Sequence, residues 1–179
     1  TALKWDTVIP FAPMWEQLKR LAKPKAAIVL FASEPFASFL RTSAIDIYKY
    51  DWIWRKTRPS GHIHAKNKPM KLHEEICIFS LGTTVHEGQS ETRMVYNPQG
   101  LVHNPKRSFR PNRKIRTSAS CDVRQSHKDE WIQEYSGYPM SVLDFPNPNN
   151  GTEHPTQKPV ALLEYLVRTY TNEGDTVLD

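Results

Sequence analysis

An imidazole, a hydroxyl, a carboxamide and an ammonium stand together in His154-Pro155-Thr156-Gln157-Lys158-Pro159, immediately ahead of an apolar run. Pro159 suits the first position of a helix, where its missing N–H would have no partner anyway. A helix start presents free N–H groups and the positive end of the dipole, so a carboxylate brought here would meet Thr156, Gln157 and Lys158 beside favourable backbone. Asp179, which closes the run Gly174-Asp175-Thr176-Val177-Leu178-Asp179, can accept a hydrogen bond from an amino group. The plainer reading of the hexapeptide is a capped helix start, because Thr and Gln ahead of Lys-Pro would satisfy terminal N–H groups in any protein.

A second chemistry is cationic. Between Val102 and Arg124 lie Lys106, Arg107, Arg110, Arg113, Lys114, Arg116 and Arg124, opposed only by Asp122, with Tyr96, Phe109 and Trp131 nearby. Such a mixture can neutralise phosphates and send an arginine to a guanine edge; a solvated loop is the bland alternative. The stretch Arg55 to Lys71 is also basic, through Lys56, Arg58, Lys66, Lys68 and Lys71. Its His62 and His64, with His73-Glu74 further on, raise a metal reading, but no third ligand is fixed by spacing, and surface histidines are the better account. Cys77 and Cys121 are far apart and form no CxxC pair, so they read as reduced thiols and not as a disulfide or zinc ribbon.

The whole chain has 179 residues, 39% hydrophobic and 24% charged, with a formal net charge of +5 that favours an anionic partner. That length suits one sizeable domain or a core with an inserted lobe. No apolar run of membrane-spanning length occurs, and the N-terminus lacks a signal-peptide pattern, so an intracellular soluble protein is expected. Thr1 to Asp6 runs into Val8-Ile9-Pro10 without an initiator Met, and the chain stops on Asp179 in what reads as a buried strand. A fragment is therefore expected, since such a strand would lack covering elements.

The elements that must hold these groups alternate in type. Met14, Trp15, Leu18 and Leu21 form the stripe of an amphipathic helix stopped by Pro24. Ala26 to Phe31 reads as a parallel strand covered on both faces, and Ser33-Glu34-Pro35-Phe36 opens a second helix with Phe36, Phe39 and Leu40 inward. Tyr48 to Trp54 and Glu75 to Ser80 read as strands separated by the basic loop. From Thr83 to Pro139 apolar periodicity fades, and Met140 to Phe145 restores a strand. Pro159 to Tyr170 then reads as a helix buried through Val160, Leu162, Leu163, Leu166, Val167 and Tyr170, followed by a strand over Thr176 to Asp179. Helix and buried strand in alternation imply a doubly wound α/β sheet interrupted by an inserted lobe.

HPTQKP, an apolar helix and GDTVLD in that order resemble the junction between the tenth and first motifs of DNA methyltransferases that modify adenine N6 or cytosine N4. The order of parts is similar to the β arrangement of that family, in which the catalytic motif comes first, then target recognition, then the methyl-donor motif. The resemblance implies an α/β fold, a partial Rossmann-like S-adenosylmethionine-dependent methyltransferase sheet with an inserted irregular recognition region. It divides the chain into residues 1–82 on the catalytic side, 83–139 for target recognition, and 140–179 at the start of the donor-binding half.

Several further expectations follow from the family. S-adenosylmethionine is the implied donor, near His154, Thr156, Gln157, Lys158 and Asp179. Double-stranded DNA is the implied substrate, near Trp5, Lys106, Arg107, Arg110, Arg113, Lys114 and Arg116. Trp5 has an equal alternative, a loop tryptophan packed on the core. The target is an exocyclic amino nitrogen, adenine N6 ahead of cytosine N4, on a base flipped from the duplex. The family's Pro-Pro-aromatic catalytic tetrapeptide occurs nowhere in this sequence and would precede Thr1, and its glycine-rich donor loop would follow Asp179. No catalytic residue is therefore expected within the chain, which alone would be inactive. A cytoplasmic protein of prokaryotic or phage origin, with no metal, a restriction-modification context and room for a homodimer, completes the implication. A non-catalytic DNA-binding remnant and an RNA methyltransferase are the alternatives.

Overall fold

The computed structural model describes residues 7–85, 90–109, 130–148, 154 and 156–179. They fall into two compact units, Thr1–Asn97 with Met140–Asp179, and Pro98–Pro139.

In the first unit, helix α1 spans Phe11–Leu21, with Pro13 tolerated in its first turn and the stop coming at Ala22, ahead of Pro24. Trp15 is its buried residue, and the indole N–H donates to Ser43 Oγ at 2.7 Å. Leu21, expected inward, is 53% exposed. Strand β1 follows over Ala27–Ala32 and helix α2 over Phe36–Thr42. The inward face of α2 is Ala37 and Leu40, whereas Phe39 is exposed.

Strand β2 runs Tyr48–Ser60 and strand β3 Lys71–Ser80, joined through a short 3-10 turn at His62–His64. The hairpin bend is entered by Gly61 at φ 89°, a left-handed conformation that glycine adopts without a Cβ penalty. The two ends of the basic segment Arg55 to Lys71, expected throughout as a loop, thus belong to strands, Arg55 to Ser60 in β2 and Lys71 in β3. Its few apolar side chains carry no two-residue alternation, so the strand signal was hidden.

The sheet has the order β1-β3-β2-β6, with β6 over Val142–Asp144. β3 is antiparallel to both β1 and β2, while β6 is parallel to β2. β1, β2 and β6 therefore run in one direction, with β3 reversed between the first two. The expectation that β1 has a parallel neighbour is corrected. Its apolar run reports coverage on two faces, and says nothing about the direction of the strand beside it.

β3 shows that coverage. All of Glu75 to Ser80 are buried. Cys77 and Phe79 pack with Trp15, Ile28, Ala37, Leu40 and Ile47 on the α1/α2 side. Ile76 and Ile78 pack with Trp52, Trp54, Leu143, Leu162, Leu166 and Tyr170 on the other. The two-residue alternation of a strand supplies both cores from one segment.

Helix α3, Val160–Tyr170, covers the second side through Leu162, Leu166, Thr169 and Tyr170. Val160, Leu163 and Val167, expected inward, are 73%, 40% and 41% exposed. The i, i+4 spacing of 162, 166 and 170 selects a narrower stripe than the apolar composition offers. Thr176 to Asp179 forms no strand, since no neighbour ladders with it, and Val177 and Leu178 are exposed.

The second unit begins at Pro98, later than the change of composition at Thr83. Residues up to Asn97 stay with the first unit: Met94 is buried among its aromatic residues, Val95 N–H donates to Lys25 C=O, and Asn97 N–H donates to Thr169 C=O. Within Pro98–Pro139, strand β4 (Val102–Phe109) pairs antiparallel with strand β5 (Glu130–Ser136). The region expected to be irregular therefore contains a regular two-stranded ladder. Its sequence hid this because Pro105 cannot donate to a ladder, and the register shifts between His103 and Lys106. At the open end of the ladder, a Cβ on Gly137 would stand 2.6 Å from Gly100 C=O, so the strands approach there on glycine alone.

Candidate functional site

The HPTQKP segment leads into α3 without capping it. Pro159 occupies the N-cap position and no side chain there bonds to the helix N–H groups. The Thr156 hydroxyl is 2.8 Å from His154 Nδ1, Thr156 N–H donates to the same nitrogen at 3.2 Å, and Gln157 N–H donates to His154 C=O at 3.1 Å. The imidazole thus organises the turn, and the capped-helix account of Thr156 and Gln157 does not describe it. His154, Thr156 and Gln157 are exposed beside the helix start.

Lys158 points to a different partner. Its ammonium donates to Glu74 Oε2 at 2.7 Å, while Lys56 donates to Glu74 Oε1. The Lys56 ammonium lies 4.9 Å above the Trp54 ring centroid, and that of Lys158 lies 5.8 Å from the same ring and 5.2 Å from Phe31. Both distances suit cation–π attraction. Trp54 is 2% exposed and fixed by its indole N–H, which donates to Phe145 C=O at 2.9 Å.

The strands explain why these groups meet. Trp54 is opposite Glu74 in the β2–β3 register, and Lys56 follows two residues later on the same face. Ala32, the last residue of β1, is opposite Glu75, and Asp144, the last of β6, is opposite Arg55. Glu74 therefore sits level with the carboxyl ends of β1 and β6, the kind of sheet edge where open α/β sheets place their ligand sites, while β2 runs on to Ser60. Asn147, just past β6, accepts from Thr57 N–H at 3.0 Å and Arg58 N–H at 3.1 Å and ties that loop to the hairpin.

The electrostatics are set by burial in competition with two cations. Burial raises the Glu74 carboxyl, but the hydrogen bonds and charges of Lys158 and Lys56 outweigh it and hold the group below its ordinary range. Both lysines and the glutamate are largely covered, with side-chain exposures of 16%, 18% and 23% for Lys56, Glu74 and Lys158. Arg55 and Asp144 form a separate, exposed pair through both guanidinium and carboxylate edges.

Sequence reasoning singled out the turn residues but missed Trp54, Phe31 and Glu74 as the setting of Lys158. One signal was available: residues 55–73 contain no carboxylate, and Glu74 ends that run. Asp179 is exposed and shares no hydrogen bond or ion pair with the turn. Lys106 and Arg107 belong to β4. Trp5, Arg110, Arg113, Lys114 and Arg116 lie outside the described residues. Glu74, the one carboxylate in the histidine-rich metal reading, is engaged by lysines; among the described residues no group of three or more His, Cys, Asp or Glu could hold a metal ion. No helix among them is long and apolar enough to cross a membrane.

Comparison with known proteins bears on this site. The type II methyltransferase M.HpaI of Haemophilus parainfluenzae is 24% identical over 182 residues, covering 99% of this chain and 49% of that protein. The chain thus spans about half the length of its curated relative. The solved structure of an M1.HpyAVI–SAM complex matches with a TM-score of 0.50 at 19% identity, over 92% of this chain and 61% of that one, a likeness of fold. The family model described as DNA methylase, of the N6/N4 methyltransferase type, matches residues 4–179, and the chain belongs to that family.

Proposed function

We propose that this chain is part of an S-adenosylmethionine-dependent methyltransferase acting on an exocyclic amino nitrogen of duplex DNA, adenine N6 ahead of cytosine N4. The observation that carries the reading is the HPTQKP turn, seated by Lys158 on Glu74 at the carboxyl ends of β1 and β6 and leading into a helix start that no side chain caps. Family membership and the name of the Haemophilus relative point the same way.

The donor set fits the amino-acid head of the proposed cosubstrate. The Gln157 carboxamide and the Lys158 ammonium offer donors to a carboxylate, the Thr156 hydroxyl would join them by turning its hydrogen from His154 Nδ1, and the α3 dipole favours negative charge there. Asp179 would accept from the amino group. When bound, S-adenosylmethionine would supply an activated methyl group for transfer to the amino nitrogen.

The residues named here bind and orient, which is the larger part of catalysis for a preformed electrophile. None of them is assigned as the proton acceptor. Lys106, Arg107, Arg110, Arg113, Lys114 and Arg116 supply phosphate contacts in this reading, and the β2–β3 hairpin adds Arg58, Lys66, Lys68 and Lys71 as a second cationic strip, Lys56 being held on Glu74.

The test is methyl transfer from labelled S-adenosylmethionine to duplex DNA or to RNA by the full-length gene product. Label on adenine of duplex DNA is the expected result. Label on RNA alone would move the substrate class. DNA binding without any transfer would leave a non-catalytic binding protein.

A further inference from the structure

Glu74 is the structural centre of the HPTQKP seat, yet it belongs to none of the motifs in which the family resemblance lies. Its two oxygens are divided: Oε1 takes the Lys56 ammonium and Oε2 the Lys158 ammonium at 2.7 Å, both on the Trp54 ring, with Phe31 beside Lys158. One carboxylate thus holds two cations side by side with a net charge of +1. Without it the two ammoniums would repel each other across a largely covered site, where screening is weak. A lysine has three donors. Lys158 spends one on Glu74, and two remain to be shared with an incoming anion. Glu74 itself cannot serve that anion, having the same sign of charge.

We propose that Glu74 is a positioning residue for the donor site: it fixes the Lys158 ammonium, and with it the HPTQKP turn, so that Lys158 meets the carboxylate of the methyl donor. This deepens the proposed function and rests on it. Lys56 completes the device by neutralising the second half of the carboxylate, which keeps Glu74 ionised, and Trp54 is the rigid floor on which both cations lie. The direction of the Glu74 titration agrees, since two cations hold it below the ordinary carboxylate range against the effect of burial.

The experiment compares two donors in the full-length gene product: S-adenosylmethionine, and its decarboxylated analogue, which lacks the group that Lys158 would meet. Glu74→Gln is expected to raise the Kd and KM for S-adenosylmethionine about tenfold, the size of one charge-assisted hydrogen bond, with a smaller change in kcat. Its affinity for the decarboxylated analogue stays at the wild-type value. Lys158→Met produces the same selective loss, and the double variant is no weaker than Lys158→Met alone, because Glu74 acts through Lys158. Glu74→Asp, which keeps the charge on a shorter reach, recovers part of the affinity.

Equal loss of both donors in Glu74→Gln would show a structural role and overturn the inference, as would wild-type affinity for S-adenosylmethionine or multiplicative effects in the double variant. If Glu74→Gln does not fold, the same two-donor comparison on Glu74→Asp decides between selective and equal loss. A wild-type protein that binds neither donor would refute the proposed function and this inference with it. Wild-type binding with an unselective Glu74 variant would refute this inference alone.

Discussion

The two faces of the β1-β3-β2-β6 sheet are built from alternate residues of the same strands, yet they are different materials. Toward α1 and α2 the contacts are Ile28, Ala32, Ala37, Leu40, Ala44, Ile47, Cys77 and Phe79, with Trp15 the one buried indole. That face closes on itself. Toward α3 the indoles of Trp52 and Trp54 and the phenol of Tyr170 are set among Ile76, Ile78, Met94, Leu143, Leu162 and Leu166, with Tyr50, Tyr165 and Phe145 packed against them. Here the polar tips of aromatic residues are paired inside the core: Trp52 N–H donates to the Tyr170 hydroxyl, which lies 2.9 Å from that of Tyr50. The aromatic layer continues to Trp54 and Phe31, where it carries the ammoniums of Lys56 and Lys158. Toward α1 and α2 the rings of Trp15, Phe79 and Tyr48 pack on one another and carry no cation among the described residues. An aromatic face can be packed at one end and bind cations at the other.

That contrast can be broken at either face. Phe79 is fully buried on the α1/α2 side, between Trp15 at 4.7 Å and Tyr48 at 5.6 Å. Phe79→Ala should cost about 4 kcal/mol of stability through lost transfer energy and a cavity. Donor affinity per folded molecule should be unchanged, because the site lies on the other face. Urea unfolding together with calorimetric titration at low temperature checks both halves, and a donor Kd that moves with stability would show the faces to be coupled.

The corresponding lesion on the α3 side is smaller and more specific. Tyr170→Phe keeps the ring but leaves the Trp52 indole N–H without its acceptor and the Tyr50 hydroxyl without its partner, at about 1 to 3 kcal/mol. Trp52→Phe alone should be milder, and the double variant Trp52→Phe/Tyr170→Phe less than the sum, since the pair is removed together. Additive losses in equilibrium unfolding would mean that the hydrogen bond contributes little.

How far the sequence foretold this division depends on which residues are asked. The α3 stripe was legible through Leu162, Leu166 and Tyr170, and β1 through its apolar run, because burial is written in composition and period. The direction of β3 was not legible, since antiparallel and parallel neighbours ask the same side chains of a strand covered on both faces. The hairpin over Arg55 to Lys71 was not legible either: lysine and proline are poor strand signals, and its ladder is fixed by pairing with a distant partner. At the site, the HPTQKP spacing gave the turn and the helix start. The role of Lys158 was set by Glu74, 84 residues away in sequence, and an ion pair of that separation leaves no local pattern.

The smallest effect tests one titrating group on each face by pH, against an alkaline background to which Tyr50, Tyr165 and Tyr170 of the α3 side also contribute because burial raises them. Glu74 on the α3 side has a folded pKa below its ordinary 4.5, against the effect of burial and because of Lys158 and Lys56. Its contribution is present above 4.5 and is lost as pH falls through the lowered folded value, so stability should rise with pH in that acid window. On the α1/α2 side the Cys77 thiol is pushed up to about 12 from 9.0, by burial first and then by the Asp51 carboxylate. The sign reverses: the folded state keeps the thiol neutral while the unfolded chain ionises it, so stability is full below 9.0 and declines as pH rises toward 12. Tyr48, also pushed up to about 12 by burial and Asp51, adds to the alkaline slope from its ordinary 10.0. Urea unfolding across the pH range should therefore show two limbs. Glu74→Gln should flatten the acid limb and leave the alkaline one, whereas Cys77→Ala should flatten part of the alkaline limb and leave the acid one. Exposed pairs such as Lys19 with Asp46 contribute to the acid limb only at low salt, so the comparison belongs at an ionic strength where their charges are screened. An acid limb of the same slope in wild type and Glu74→Gln would mean that the two lysines contribute nothing to stability through Glu74, and the contrast between the faces would then rest on packing alone.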